Sequence, residues 1–242
     1  NSQPEIRLEN LQCMRLDSEN FAKYQKFVPA VIQTGLIKVF YRFRSILYRG
    51  NQVYCNCCNT SFRFYLPPYL ECPGCGSQAR HRLMFFYLKT QTDLFSRQCR
   101  LLHFAPEAIL EKLFRQSANI DYLSADLDSH RAMQKVDITN IQYPEDSFNV
   151  IICTHVLEHI PQDIRAMKEL CRVLAKDGWA ILQVPVDINR RKTYEDFSIT
   201  SPAGRAKSFG RSDHCRIYGL DYKDRLQQAG FEVTVDKYVK SF

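Results

Sequence analysis

Two clusters in this 242-residue chain hold side chains that do chemistry. The first is Cys55-Asn56-Cys57-Cys58 followed by Cys72-Pro73-Gly74-Cys75-Gly76, two Cys-x-x-Cys pairs separated by 13 residues. A four-thiolate zinc site asks for this pattern: each pair folds as a tight knuckle, Gly74 and Gly76 permit the turn, and the four sulfurs complete a tetrahedron. Cys57 lies inside the first pair, but a Cys-x-x-Cys knuckle needs residues 55 and 58. Such a ribbon either grips a substrate or staples a segment too small to bury its own core, and the staple is the expectation. The second cluster is Thr154, His155, Glu158 and His159, which follow the apolar run Val150-Ile151-Ile152-Cys153. Imidazoles with an unperturbed pKa near ~6.5 suit a general base at neutral pH, so His159 and His155 are the catalytic candidates.

Both clusters need elements to hold them. Four apolar residues in a row after the polar turn Pro144-Glu145-Asp146-Ser147 are too short for a helix and read as a strand covered on both faces, as in parallel sheets. Ligands of open α/β sheets bind beyond the carboxyl ends of the strands, which is where residues 154 to 159 arrive. From Arg100 strands and helices alternate. Strands are expected at Leu101–Ala105, Asp121–Asp126, Lys135–Thr139, Asn149–Cys153, Trp179–Val186 and Phe231–Val239. Helices are expected at Glu107–Arg115 after Pro106, at Gln162–Leu174 closed by a Lys176-Asp177-Gly178 turn, and at Leu220–Ala229 stopped by Gly230. The polar stretch 187–216 reads as a lid or insertion. Within and beyond it, Tyr194, Asp213, His214, Arg216 and Tyr218 are expected to border an acceptor pocket.

Residues 1–20 show no period. From Phe21 to Arg49 apolar residues recur at spacings of three and four, with Lys23, Lys26, Lys38, Arg42 and Arg44 on other faces, which predicts a basic amphipathic helix broken near Pro29 or Gly35. Such a helix packs on its own domain, lies on an anionic membrane or holds RNA. The domains expected are an arm and helix over 1–50, a zinc ribbon over 51–80 and an α/β domain over 81–242. The fold class is a Rossmann-like, doubly wound, mostly parallel sheet with helices on both faces.

A formal charge of +7 favours an anionic partner without demanding one. Ten cysteines distributed as two pairs plus scattered apolar positions do not form a disulfide framework. No apolar run approaches the ~18 residues that span a bilayer, and no charged-then-apolar leader opens the chain, so a cytoplasmic location is expected. The turn after the first α/β strand is His103-Phe104-Ala105-Pro106-Glu107, with Ala105 its only small residue. The lack of glycines counts against a dinucleotide oxidoreductase, whose pyrophosphate needs a Gly-rich turn. Asp126, about twenty residues on, stands where a ribose-binding acid is found in nucleotide sites.

The order of these parts resembles the class I S-adenosylmethionine-dependent methyltransferases, particularly the group with His-Val-Leu-Glu-His after a strand, here His155 to His159. The resemblance runs from about Arg100 to Val239, and includes Pro144 to Ile151 and Arg172 to Trp179. It implies that Asp126 holds the ribose, that Asp137 and Ile138 take the adenine edge, and that His155 lies beside the methionine portion. Ala105, Pro106 and Glu107 would form the first cofactor loop, with the Glu107 carboxylate facing the cofactor's ammonium group and the helix amino terminus receiving its carboxylate. The family's usual Gly-x-Gly turn is absent, and the family's antiparallel seventh strand has no counterpart before Phe242. The resemblance implies methyl transfer with S-adenosylmethionine as cofactor; the lid and the histidines favour a small-molecule or glycan acceptor, and the cysteine spacing predicts zinc as a structural ion. The alternatives are an RNA methyltransferase using the ribbon and basic helix, and a non-catalytic scaffold. An RNA enzyme's Asn-Pro-Pro-Tyr or catalytic cysteine pair does not occur.

Overall fold

The computed structural model describes residues 30–128, 131–236 and 238. A helix, α1 (Ala30–Leu47), runs into a two-stranded antiparallel ribbon, β1 (Arg49–Cys55) with β2 (Thr60–Phe62). The helix passes through Gly35 without the expected break, and the part of the expected helix before residue 30 lies outside the described residues. Helix α2 (Ala79–Gln91) then leads from the ribbon into the α/β unit.

That unit is a five-stranded sheet of β3 (Cys99–Phe104), β4 (Ile120–Asp126), β5 (Gln134–Lys135), β6 (Phe148–Thr154) and β7 (Leu174–Gln183), in the order β5-β4-β3-β6-β7. Every pairing in it is parallel. Successive side chains of a strand point to opposite faces, and here both faces are apolar. Leu101, Tyr122, Val150 and Ile152 pack against Met84 and Leu88 of α2 and Leu110 and Phe114 of α3 (Ala108–Arg115). Leu102, Phe104, Ile151 and Cys153 face the other way, onto Met167 and Leu170 of α4 (Asp163–Val173) and Leu226 of α6 (Tyr222–Gln228). The doubly wound expectation therefore holds.

Several boundaries differ. The Lys176-Asp177-Gly178 turn is instead a bulge within β7: Phe148 pairs with Leu174 and Val150 with Trp179, so residues 175–178 stand out of the ladder. A Cβ at Gly178 would meet the Asn149 carbonyl oxygen at 2.6 Å, which is why glycine lies there. The third strand shrinks from Lys135–Thr139 to β5, because Asp137 turns the chain, accepting hydrogen bonds from both the backbone and the hydroxyl of Thr139 at 2.8 Å. The expected sixth strand over 231–239 does not form within residues 231–236 or at 238. Its alternation comes from Phe231 and Val233 lying on the core without a ladder partner. The tail instead docks on α2, where Tyr87 donates to Asp236 at 2.8 Å. Segment 187–216 has structure of its own: a short hairpin of β8 (Tyr194–Glu195) with β9 (Arg216–Ile217), and α5 (Pro202–Phe209), capped by the Ser201 hydroxyl. Among the described residues no helix is long and apolar enough to cross a membrane.

Candidate active site and cysteine centre

The strand order reverses at β3 and β6, so a crevice opens between the loops that leave their carboxyl ends. Phe104 pairs with Cys153, which sets Ala105 next to Thr154. Both loops leave their strands through a strained residue: Ala105 has φ +50° and His155 has φ +56°. Left-handed backbone at non-glycine residues costs about 1 to 2 kcal/mol each and concentrates at functional sites. Ala105 thus supplies the turn for which glycine is the usual residue, and its short side chain keeps the loop close. Pro106 is buried beneath it.

Glu107 precedes α3. Backbone N–H of Gln78 donates to His81 Nδ1 at 3.1 Å, so the neutral ring carries its proton on Nε2 and donates it to Glu107 Oε1 at 2.8 Å. Arg80 Nη2 stands 3.2 Å from the same oxygen, and Thr154 Oγ1 lies 3.5 Å from Oε2. Burial pushes the Glu107 carboxyl up, but the His81 hydrogen bond and the neighbouring Arg80 charge outweigh it and hold the group below the ordinary range. The expected partner of Glu107 was a cofactor ammonium group; in the structure the start of α2 already engages it. In the sequence His81 stands only as the middle of the basic run Arg80-His81-Arg82 that follows the second knuckle.

Asp126 ends β4 beside this loop, its Oδ1 accepting from Asp128 N–H at 2.8 Å. Asp137 is exposed past β5, whereas the Ile138 side chain is buried in the core and offers only backbone to a ligand. Ala105, Glu107, Asp126, Asp137 and Thr154 therefore lie at the carboxyl ends of four neighbouring strands.

The turn after β6 contains a short 3-10 helix, Leu157–His159. His155 Nδ1 is 3.3 Å from Glu158 Oε1, and His159 Nδ1 donates to the Asp213 carbonyl at 3.0 Å. The His159 and His214 rings meet edge to face at 4.8 Å. Burial, then the neighbouring His159, lowers the pKa of His214. Asp213 and His214 thus lie against the turn that carries His159. Arg216 and Tyr218 are not pocket residues: they are 1% and 0% exposed. Arg216 donates to the carbonyls of Leu157, Ile160 and Pro161 and to Glu195, while Tyr218 donates to Asp163 at 2.7 Å. They bolt the 187–216 segment and the turn to α4. Tyr194 is partly exposed on β8, tilted against Phe209.

In the ribbon, Cys55, Cys58, Cys72 and Cys75 bring their sulfurs within 4.8 Å of one another, with Cys55 to Cys75 and Cys58 to Cys72 both at 3.7 Å. A tetrahedron with ~2.3 Å Zn–S bonds has edges of about 3.8 Å, so the donor set and spacing fit zinc. The buried Ser77 hydroxyl lies 3.3 Å from Cys55 and 3.2 Å from Cys75, a second layer behind the thiolates. Gly76 has φ +74° and is pressed against Tyr41 of α1, so only glycine fits there.

Of the basic residues that could hold RNA, Lys23, Lys38, Arg42, Arg44, Arg80 and Arg82, three already have partners within the protein. Arg44 is 2% exposed and paired with Glu71 at 2.9 Å. Arg82 stacks over Tyr65 at 3.6 Å and donates to the Ser77 carbonyl, and Arg80 is held by Glu107. Lys38 and Arg42 are exposed on α1; Lys23 lies outside the described residues.

Residues 99–235 match a sequence family described as a methyltransferase domain. No curated protein matches the chain significantly. Among solved structures, a candidate methyltransferase from Bacillus halodurans is 17% identical, over 58% of this chain and 62% of that one, with a TM-score of 0.42. The cyclase SpnF is 15% identical over 71% of this chain and 63% of its own, with a TM-score of 0.44. The YcgJ protein of Bacillus subtilis is 17% identical over 62% and 68%, with a TM-score of 0.43. The chain thus spans a little over six tenths of the first two.

Proposed function

Because the chain belongs to the family of methyltransferase domains, we propose that it transfers a methyl group from S-adenosylmethionine to a small-molecule or glycan acceptor. The observation that carries the cofactor reading is the convergence of the strained Ala105 loop, Asp126 and the His155 turn at the point where strand order reverses. Asp126 would accept hydrogen bonds from the ribose and Asp137 would face the adenine. His155 would lie beside the methionine portion. Methyl transfer is an in-line displacement, so its acceleration comes chiefly from holding acceptor and methyl carbon in line. His159 or His155 would take the acceptor's proton where the nucleophile carries one. Tyr194, Asp213 and His214 would border the acceptor.

The reading of a small acceptor over RNA is supported by Arg44 and Arg80, whose charges are paired with Glu71 and Glu107, and by Arg82, whose guanidinium lies over the Tyr65 ring. The four cysteines would hold one structural zinc ion, fastening the ribbon so that Arg80 and His81 reach Glu107. A peripheral contact between α1 and an anionic membrane is favoured by Val39, Phe43 and Ile46, which are exposed next to Lys38 and Arg42. The test of function is transfer of radiolabelled methyl from S-adenosylmethionine to nucleotide-sugar and glycan acceptors and, in parallel, to RNA. Label on a sugar is expected. Label on RNA alone would promote the RNA enzyme, and a protein that binds no cofactor would be a scaffold.

A further inference from the structure

Both carboxylate oxygens of Glu158 are buried with no hydrogen-bond partner among the described residues, on a side chain 2% exposed. Burying a carboxylate without compensation is strongly unfavourable, and a cation held at these oxygens would supply that compensation. His155 Nδ1 comes within 3.3 Å but does not form a hydrogen bond to it.

We propose that Glu158, His159 and His214 bind a divalent transition-metal ion of the zinc class, at a site separate from the four cysteines. Their donor atoms already lie within 4.8 Å of one another. An ion with ligands at ~2.0 to 2.2 Å needs them about 3.3 to 3.6 Å apart in a tetrahedral shell, a closure within reach of small side-chain rotations. Two imidazoles and a carboxylate are a borderline donor set suited to zinc and its neighbours. The surroundings are also those of a ligand shell. A carbonyl can only accept, so His159 Nδ1 is the donor to Asp213, and the lone pair of the neutral ring is left on Nε2. Metal-binding imidazoles are commonly fixed by just such a bond from their other nitrogen. The Glu158 backbone is pinned in turn, its carbonyl accepting from Cys215 N–H at 3.0 Å.

Three protein ligands leave a coordination position open, as in catalytic sites. Resting on the methyl-transfer reading, that position would take an acceptor hydroxyl and lower its pKa. His159 then serves as a ligand, which leaves His155 as the base: the proton passes to His155, an oxygen lone pair forms the new C–O bond to the sulfonium methyl, and the C–S bond breaks with its electron pair remaining on the thioether sulfur.

The test is a metal titration of the full chain. Elemental analysis after zinc loading should give two ions per chain in the wild type and one in Glu158→Gln and His214→Ala. Cobalt loading should show thiolate-to-metal charge transfer for the first ion and, for the second, ligand-field absorption without a thiolate band. Saturation at one ion, or a second ion retained by both variants, overturns the proposal. If the variants fail to fold, the wild-type cobalt titration decides alone. Calorimetry with S-adenosylmethionine on the same samples separates the two readings: cofactor binding without a second ion removes only the metal site, and a second ion without cofactor binding removes the proposed function.

Discussion

His103 on β3 is 0% exposed, its Nδ1 3.1 Å from the Tyr122 hydroxyl and its Nε2 without a hydrogen-bond partner among the described residues. Burial lowers its pKa to about 4, against a smaller upward pull from Glu107. The folded state therefore keeps the ring neutral while the unfolded chain takes up a proton below ~6.5. Stability from this group is full above pH 6.5 and falls as pH drops toward 4. By linkage the loss between pH 7.5 and pH 5 is about 2 kcal/mol. Urea unfolding of wild type and His103→Leu at both pH values measures it, and an equal pH dependence in the two proteins would refute the assignment. The sequence showed His103 only as part of a glycine-poor turn. Ala105 could be named as the one small residue there, but not that it adopts φ +50°. The buried role of Arg216 and Tyr218 is hidden for a related reason: polar residues in a polar stretch read as a pocket wall, and nothing local reveals carbonyl and carboxylate partners some 55 residues away.

At the level of elements, the ribbon and the central strand were readable because their signals are local, a cysteine spacing and an unbroken apolar run. The bulge in β7 and the unpaired tail were not, because both depend on which strand lies alongside. The same holds for the ion network joining α4, α6 and the hairpin, in which Asp163 meets Arg225 at 2.6 Å and Arg216 at 3.6 Å. Asp163→Ala would leave the buried Arg216 with fewer counter-charges and should cost about 3 to 5 kcal/mol in urea unfolding. A cost below ~1 kcal/mol would mean the network is incidental. For the ribbon, Cys72→Ala should lose one zinc per chain relative to wild type by elemental analysis. It should also weaken S-adenosylmethionine binding, since Arg80 and His81 are anchored through the ribbon to Glu107. Unchanged metal content would refute the four-thiolate site.

For the molecule as a whole, the charge of +7 exaggerates the basic surface open to a polyanion. Arg44, Arg80 and Arg82 already have partners. RNA that neutralised these groups would bind with a logarithmic salt slope of roughly 0.7 per single-strand phosphate contact. A slope near zero is expected between low and physiological salt, and a slope of several units would favour RNA as the substrate.

The central claim is that the doubly wound sheet keeps its cofactor crevice although Ala105 stands where glycines are usual. Calorimetric titration of the folded chain with S-adenosylmethionine, for wild type and Asp126→Ala, tests it directly. One saturable site per chain is predicted in the wild type. Loss of charge-assisted hydrogen bonds worth roughly 1.5 to 3 kcal/mol should weaken it about tenfold to a hundredfold in Asp126→Ala. No saturable heat from folded wild type, or the same dissociation constant in both proteins, would contradict the account.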